Sequence, residues 1–212
     1  MSRAPNKDFP VQSRSSAAVG LRHSGYKVPG FPALLGTDFS GMSRADKVGV
    51  LRAILEHRIH GLSFSPYVRG QSPGIELSEA QIRERLSIIQ PYTHWIRTFS
   101  CIEGNQQTPR IARSQGLKTM VGVGLGQDRD ANERELQNGL EIARAGHADI
   151  LAIGNEVMLR EDLTEEELIA YIERARAAAP GVPVGTVDAY FLFENHPRVA
   201  QACDLLLVNC YP

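Results

Sequence analysis

Residues 148–156 read ADILAIGNE, an apolar run that ends in an amide and a carboxylate before the chain turns polar at residues 160–167, REDLTEEE. An unbroken run of small and apolar residues is typical of a strand buried on both faces, as in a parallel sheet covered by helices. A buried carboxylate without a partner costs several kcal/mol or takes up a proton. Glu156 therefore has either a catalytic role or a hydrogen bond to neighbouring backbone, and the strand context alone leaves both open.

Similar apolar segments recur along the chain and alternate with helix signals. The predicted strands are residues 61–67, 94–100, 117–126, 148–156, 182–190 and 203–212. Helix starts carry a capping residue followed three positions later by an acid or amide, at Ser43, Ser78, Asp130 and Thr164, and a shorter helix is predicted from Thr108 to Gly116. Apolar residues follow at helical spacing, for example Val48, Leu51 and Leu55. Strands alternating with helices predict an α/β fold with a parallel sheet.

Two parallel architectures fit this order, a doubly wound open sheet and a (β/α)8 TIM-type barrel. An open sheet would favour a glycine-rich phosphate turn after its first strand, but that strand runs into SFSPYVRG (63–70). The segment GVGLG (122–126) lacks the GxGxxG spacing. We therefore expect a barrel-type domain over residues 43–212 with about six β/α units, preceded by a flexible N-terminal arm, residues 1–42, rich in Ser, Pro, Gly and Arg.

Composition excludes several classes of function. The 212 residues carry a formal net charge of −1, so no basic field favours nucleic acid or an anionic membrane. No apolar run approaches the roughly 20 residues of a membrane span, and the three cysteines do not predict a disulfide framework. Residues 1–30 contain no hydrophobic signal-peptide core, so a cytoplasmic setting is the default expectation. We expect no cofactor, and the oligomeric state is open.

In barrels of this type, chemistry is located at the C-terminal ends of the strands. The residues at those positions are Tyr67, Arg97, Phe99, Asp128, Asn155, Glu156, Asp188, Tyr190, Asn209 and Tyr211. They include no histidine or lysine, which disfavours an imidazole metal site and a Schiff-base enzyme. Carboxylates, amides, a guanidinium and aromatic rings suit a neutral polyhydroxylated ligand such as a sugar. Structural explanations also exist: Arg97 as an ion-pair partner, Asp188 as a cap, and the aromatic residues as core.

Several segments resemble the successive strand ends of glycoside hydrolase family 17, especially its bacterial β-1,3-glucanase and glucanosyltransferase branch. They are GLSFSPYVRGQSPG (61–74), IRTFS (96–100), GVGLGQDRDANERELQ (122–137), AIGNEVMLREDLTEEELIAYI (152–172) and LLLVNCYP (205–212). The resemblance implies a (β/α)8 fold and a retaining mechanism on β-1,3-glucan. It makes Glu156 the general acid/base. On the oligosaccharide or polysaccharide it places Asn155 at the sugar 2-hydroxyl, Arg97 near the nucleophile, and Tyr67 and Tyr211 at the subsite beside the scissile bond. Asp188 and Phe99 are further candidates for substrate binding because of their positions at strand ends.

The nucleophile of that family is a glutamate at the end of strand seven, in a Glu-Thr-Gly-Trp-like segment, and nothing here matches it, since the only tryptophan is Trp95. We therefore expect the nucleophile downstream of Pro212 and expect this fragment alone to be inactive. Alternatives are a short enzyme that uses Asp188 or Glu103 instead, a non-catalytic sugar-binding remnant, an unrelated small-molecule barrel enzyme, and an interaction scaffold.

Overall fold

A computed structural model describes residues 38–210 of the chain. Tyr211 and most of the predicted N-terminal arm lie outside these residues. The described part alternates helices and strands as the sequence predicts. The strands are β1 (Ile59–Ser63), β2 (Thr93–Arg97), β3 (Lys118–Val123), β4 (Ile150–Asn155), β5 (Val184–Ala189) and β6 (Leu207–Asn209).

The six strands form one parallel sheet in the order β1-β2-β3-β4-β5-β6. Consecutive strands that pair in parallel, with helical connections between them, are the repeating unit of a (β/α)8 barrel. In a flat sheet, β2 and β6 would be four strand spacings apart, or about 19 Å. Yet Arg97 of β2 reaches Asn209 of β6 with an Nη1–Oδ1 distance of 3.5 Å. The sheet is therefore curled into a half-barrel, which confirms the predicted fold class.

The helices are α1 (Arg44–Glu56), α2 (Glu79–Ile89), α3 (Thr108–Ser114), α4 (Arg129–Arg144), α5 (Glu165–Ala178), α6 (Tyr190–Asn195) and α7 (Pro197–Ala202). The predicted caps at Ser43, Ser78 and Thr164 are confirmed, and Thr164 forms a complete capping box with Glu167. The predicted cap at Asp130 is wrong. The carboxylate of Asp128 accepts from the N–H groups of Asp130 and Ala131, so α4 begins two residues earlier than predicted.

Two apolar clusters hold the helices against the sheet. The larger packs α4 and α5 on β3, β4 and β5, and the smaller packs α2 and α3 on β2. The stripe predicted for α1 is not buried by the described residues, because Val48 and Leu51 are 38% and 53% exposed. No helix among residues 38–210 is both long and apolar enough to span a bilayer.

Two glycines set the close approach of neighbouring chain segments, Gly122 near the C-terminal end of β3 and Gly185 near the N-terminal end of β5. A Cβ on Gly122 would lie 2.2 Å from the backbone oxygen of Thr98, and a Cβ on Gly185 would lie 2.2 Å from that of Leu205. Both distances are below any real contact, so only glycine fits without movement of the backbone. The first approach positions the start of the loop after β2, where candidate residues lie, and the second positions the chain just before β6.

Candidate functional site

The C-terminal rim of the half-barrel brings three strand ends together. Arg97, Asn155 and Asn209 are the last residues of β2, β4 and β6. Arg97 donates from Nη2 to Oδ1 of Asn155 and from Nη1 to Oδ1 of Asn209. The structure therefore assembles residues up to 112 positions apart in the chain.

A local irregularity in β4 turns Asn155 toward this group. The register between β4 and β5 shifts between Ala152 and Asn155, and Gly154 has φ +79°. Without the shift, simple alternation would put Asn155 on the face opposite Ala152, toward the helices. Asn155 instead pairs with Val187, while Ala152 pairs with Gly185, and Gly185 and Val187 lie on the same face of β5.

Glu156 joins the group through Asn209. Its Oε1 accepts a hydrogen bond of 2.8 Å from Nδ2 of Asn209. A guanidinium can only donate and a carboxylate accepts, so the amide of Asn209 is oriented with its oxygen on Arg97 and its nitrogen on Glu156. The result is a continuous polar chain from Asn155 through Arg97 and Asn209 to Glu156. Burial lowers the pKa of Arg97, and the negative charge of Glu156 opposes that effect.

Glu156 has an unusual backbone conformation, with φ +55°. Only a few per cent of non-glycine residues adopt this left-handed region, which costs roughly 1–2 kcal/mol. Its N–H donates to the oxygen of Val187 over 2.7 Å, and the carbonyl of the preceding Asn155 accepts from Nη1 of Arg160 over 2.5 Å. The half-buried Glu156 side chain is therefore presented from a turn that β5 and Arg160 hold on both sides.

Tyr67 and Phe99 lie beside this group rather than inside it. Both line a cleft of about 100 Å³ between the loops after β1 and β2, together with Glu103 and Asn105. The amide of Asn105 donates to the Tyr67 hydroxyl over 3.2 Å. Phe99 is 42% exposed, and the Arg97 guanidinium lies 4.7 Å from its ring centroid. Phe99 thus connects the polar chain to the cleft through a cation–π contact.

The structure does not place Asp188 with the exposed groups. Its side chain is 1% exposed, and its carboxylate accepts from the N–H groups of Met158 and Ala189 at 3.1 and 2.9 Å and also from Leu159. Burial raises the pKa of Asp188, and the charge of Glu156 raises it further. The carboxylate is thus engaged with backbone, and its predicted contact with substrate stays a prediction. Tyr211 lies outside the described residues.

Glu135 is a buried carboxylate that the sequence reasoning missed. It lies on α4, is 3% exposed, and accepts from the N–H groups of Cys101 and Gly124 at 2.6 and 3.0 Å and from the Ser100 hydroxyl. Burial raises its pKa despite these bonds. Glu135 falls at the spacing of the apolar stripe of α4, and a charged residue on such a stripe is the signal that would have found it.

Among residues 38–210, no group of three or more His, Cys, Asp or Glu side chains is placed to hold a metal ion. The arrangement instead offers a carboxyl group, two amides and a guanidinium beside a cleft that Tyr67 and Phe99 line. Such groups bind hydroxyls and can transfer a proton to or from a neutral ligand.

Comparison with known proteins agrees with the geometry. The family model described as BtgE/BtgC glycoside hydrolase domain matches residues 61–212. A glucan 1,3-beta-glucosidase from Candida albicans is 28% identical over 143 residues, which cover 59% of this chain and 46% of that protein. The glucan 1,3-beta-glucosidase BGL2 of strain SC5314 matches with the same values. The chain thus spans about half the length of the curated relatives that it matches.

Solved structures show the same fold. A glycoside hydrolase family 17 β-1,3-glucanosyltransferase from Rhizomucor miehei superposes with a TM-score of 0.62 and 22% identity, covering 74% of this chain and 59% of that one. The same values hold for an active-site mutant of the Rhizomucor miehei enzyme in complex with laminaritriose. At this level of identity the likeness establishes the architecture.

Proposed function

Because the chain belongs to the BtgE/BtgC glycoside hydrolase family, of the family 17 type, we propose that it is the acid/base-bearing part of a retaining β-1,3-glucan hydrolase or glucanosyltransferase. Glu156 is the general acid/base in this proposal. The observation that carries it is the polar chain at the rim, in which Asn209 and Arg97 connect Glu156 to Asn155.

The contacts suit the two jobs that such an acid must perform. It protonates the oxygen of the departing sugar and then takes a proton from water or from an acceptor hydroxyl. Asn209 donates to Oε1 of Glu156 and thereby orients the carboxyl group. Because Arg97 holds the oxygen of Asn155, the amide nitrogen of Asn155 is oriented to donate to a sugar hydroxyl.

The second carboxylate is proposed to come from residues that follow Pro212 in the full-length protein. A retaining site needs its two carboxyl groups about 5–5.5 Å apart. The acceptors of Arg97 are amide oxygens of Asn155 and Asn209, which leaves the half-buried guanidinium suited to stabilise an anionic nucleophile. Asp188 is engaged by three backbone N–H groups. Glu103, the other short-chain alternative, accepts from the N–H of Gly74 at 2.7 Å and lines the neighbouring cleft.

The test compares Glu156→Gln and Glu156→Ala with the unchanged protein, in the full-length chain, on two substrates. Laminarin needs a proton for its leaving group, whereas 2,4-dinitrophenyl β-laminaribioside does not. For both variants we expect kcat/KM on laminarin to fall about 10²–10⁴-fold, the usual contribution of a general acid, and kcat/KM on the dinitrophenyl substrate to stay within about tenfold. Azide should raise turnover of the dinitrophenyl substrate by Glu156→Ala and yield a β-glycosyl azide, since the nucleophile is still present.

Glu161 provides a matched control. It belongs to the same loop, is exposed, and has the same left-handed φ of +55°. Glu161→Gln should leave both substrates unaffected. Full laminarin turnover by Glu156→Gln would refute the assignment of the acid. Laminarin binding without turnover by the unchanged full-length protein would instead support a sugar-binding remnant.

A further inference from the structure

The turn that carries Glu156 is held by a buried carboxylate on the next strand. Glu156 follows β4 directly, and residues 156–161 form a compact turn in which the N–H of Arg160 donates to the oxygen of Glu156 over 2.9 Å. The first N–H groups of such a turn have no partner within it. Those of Met158 and Leu159 donate to Asp188 of β5 instead.

We propose that Asp188 is a positioning residue for Glu156. Its buried carboxylate holds the turn that carries Glu156 and does not contact substrate. This inference rests on the proposed role of Glu156 as general acid/base. Consecutive residues of β5 supply two different anchors for one turn. The oxygen of Val187 takes the N–H of Glu156 at 2.7 Å, and the carboxylate of Asp188 takes the N–H groups two and three residues later.

The left-handed backbone at Glu156 explains why such an anchor is needed. A non-glycine residue at φ +55° relaxes toward negative φ unless its neighbours hold it. Relaxation would rotate the Cα–Cβ bond of Glu156 and move its carboxyl group away from Asn209. Displacement of a catalytic group by about 1 Å can cost about 10²-fold in rate.

An amide cannot replace this carboxylate. The two oxygens of Asp188 receive three N–H groups, Met158 on Oδ2, Ala189 on Oδ1, and Leu159. Asparagine has one acceptor oxygen and one NH₂ group, so one of these backbone N–H groups would face another donor. Asp188→Asn therefore disturbs the turn while nearly preserving side-chain volume.

The experiment measures kcat/KM of full-length Asp188→Asn on laminarin and on 2,4-dinitrophenyl β-laminaribioside. We expect about a 30–100-fold loss on laminarin and less than about a fivefold loss on the dinitrophenyl substrate, which needs no proton donor. Asp188→Ser, which keeps one oxygen acceptor in less volume, should show the same pattern, and serves if the asparagine variant does not fold.

Asp204 is the matched control. Its Oδ2 accepts from the N–H of Val184 at 3.0 Å, so it holds the opposite end of β5 in the same way. Asp204→Asn should leave the ratio of the two kcat/KM values unchanged, even if it lowers the melting temperature. Equal losses on both substrates, or no loss on either, would overturn the positioning role of Asp188. A higher KM on both substrates would point to substrate binding instead. Failure of the proposed function gives a different result from failure of the positioning role. In that case Glu156→Gln would change kcat/KM on the two substrates to the same extent.

Discussion

Glu135 offers the sharpest test of how the rim is held together. Its buried carboxylate joins α4 to the loops after β2 and β3 through Cys101, Gly124 and Ser100. Both backbone N–H groups bond the same oxygen, Oε2, while the Ser100 hydroxyl bonds Oε1. Glu135→Ala removes both acceptors, whereas in Glu135→Gln the amide oxygen can take the place of Oε2 and the NH₂ group can donate to Ser100.

The expected magnitudes differ accordingly. Alanine leaves two buried backbone N–H groups without partners, at about 1–3 kcal/mol each. Entry of a water molecule into the space left by the carboxyl group offsets part of this loss, so we expect a fall of about 3 kcal/mol in the free energy of unfolding. For a domain of this size that corresponds to about 6–12 °C in melting temperature. For Glu135→Gln we expect a change of no more than about 1 kcal/mol near pH 4.

The two variants are compared with the unchanged protein by thermal unfolding, followed by circular dichroism from pH 4 to pH 7. Burial raises the pKa of Glu135 in the folded state, so the folded protein binds this proton more tightly than the unfolded chain. The stability from Glu135 is therefore fully present below the unfolded pKa and is lost as the pH rises through the folded value. Glutamine does not titrate, so the melting temperature of Glu135→Gln relative to the unchanged protein should increase from pH 4 to pH 7.

Two results would contradict this reasoning. A melting temperature of Glu135→Ala within about 2 °C of that of the unchanged protein would mean that the three contacts make no net contribution to stability. A Glu135→Gln variant that loses relative stability with rising pH would mean that hydrogen bonding outweighs burial and that the folded-state pKa of Glu135 lies below its ordinary value.

Three further predictions test the approach of β3 to the chain after β2, the cap of α5 and the polar chain. Gly122→Ala should lower the free energy of unfolding, measured in urea, by about 1–3 kcal/mol because its Cβ would meet the oxygen of Thr98. Gly126→Ala is the control, since its Cβ would meet nothing within 4 Å, and should change that free energy by no more than about 0.5 kcal/mol. Equal effects of the two substitutions would show that the close approach at Gly122 does not require glycine. Thr164→Ala should cost about 1 kcal/mol through loss of the capping box, measured in the same way, and an unchanged midpoint would refute it. Arg97→Lys should reduce kcat/KM of the full-length protein on laminarin at least tenfold with little change in melting temperature. The reason is that one ammonium group cannot reproduce the planar guanidinium that donates to both Asn155 and Asn209. An unchanged kcat/KM would show that the positive charge alone suffices.

Much of the fold could be predicted because its signals are local. Apolar runs between capped helices indicate a parallel sheet, and all six strands are present in chain order. The predicted strand limits were too long, however. Residues 64–67 and 98–100 continue the pattern of β1 and β2 but lie in the loops after them. Phe64, for example, is buried in the smaller apolar cluster although it lies outside β1, so burial by itself does not set the limits of a strand.

The sequence by itself determined the order of the elements, the caps at Ser43, Ser78 and Thr164, and the set of polar residues near the strand ends. Those properties depend on neighbours a few positions away. Only the tertiary structure decided how each polar residue is used. The register shift after Ala152 turns Asn155 to the face that Arg97 and Asn209 share. The carboxylate of Asp188, in contrast, is buried and accepts from backbone N–H groups such as that of Met158. Alternation along a strand assigns faces only while pairing stays regular, and curvature of the sheet is a property of all six strands together, so neither could be derived from the segment that contains the residue.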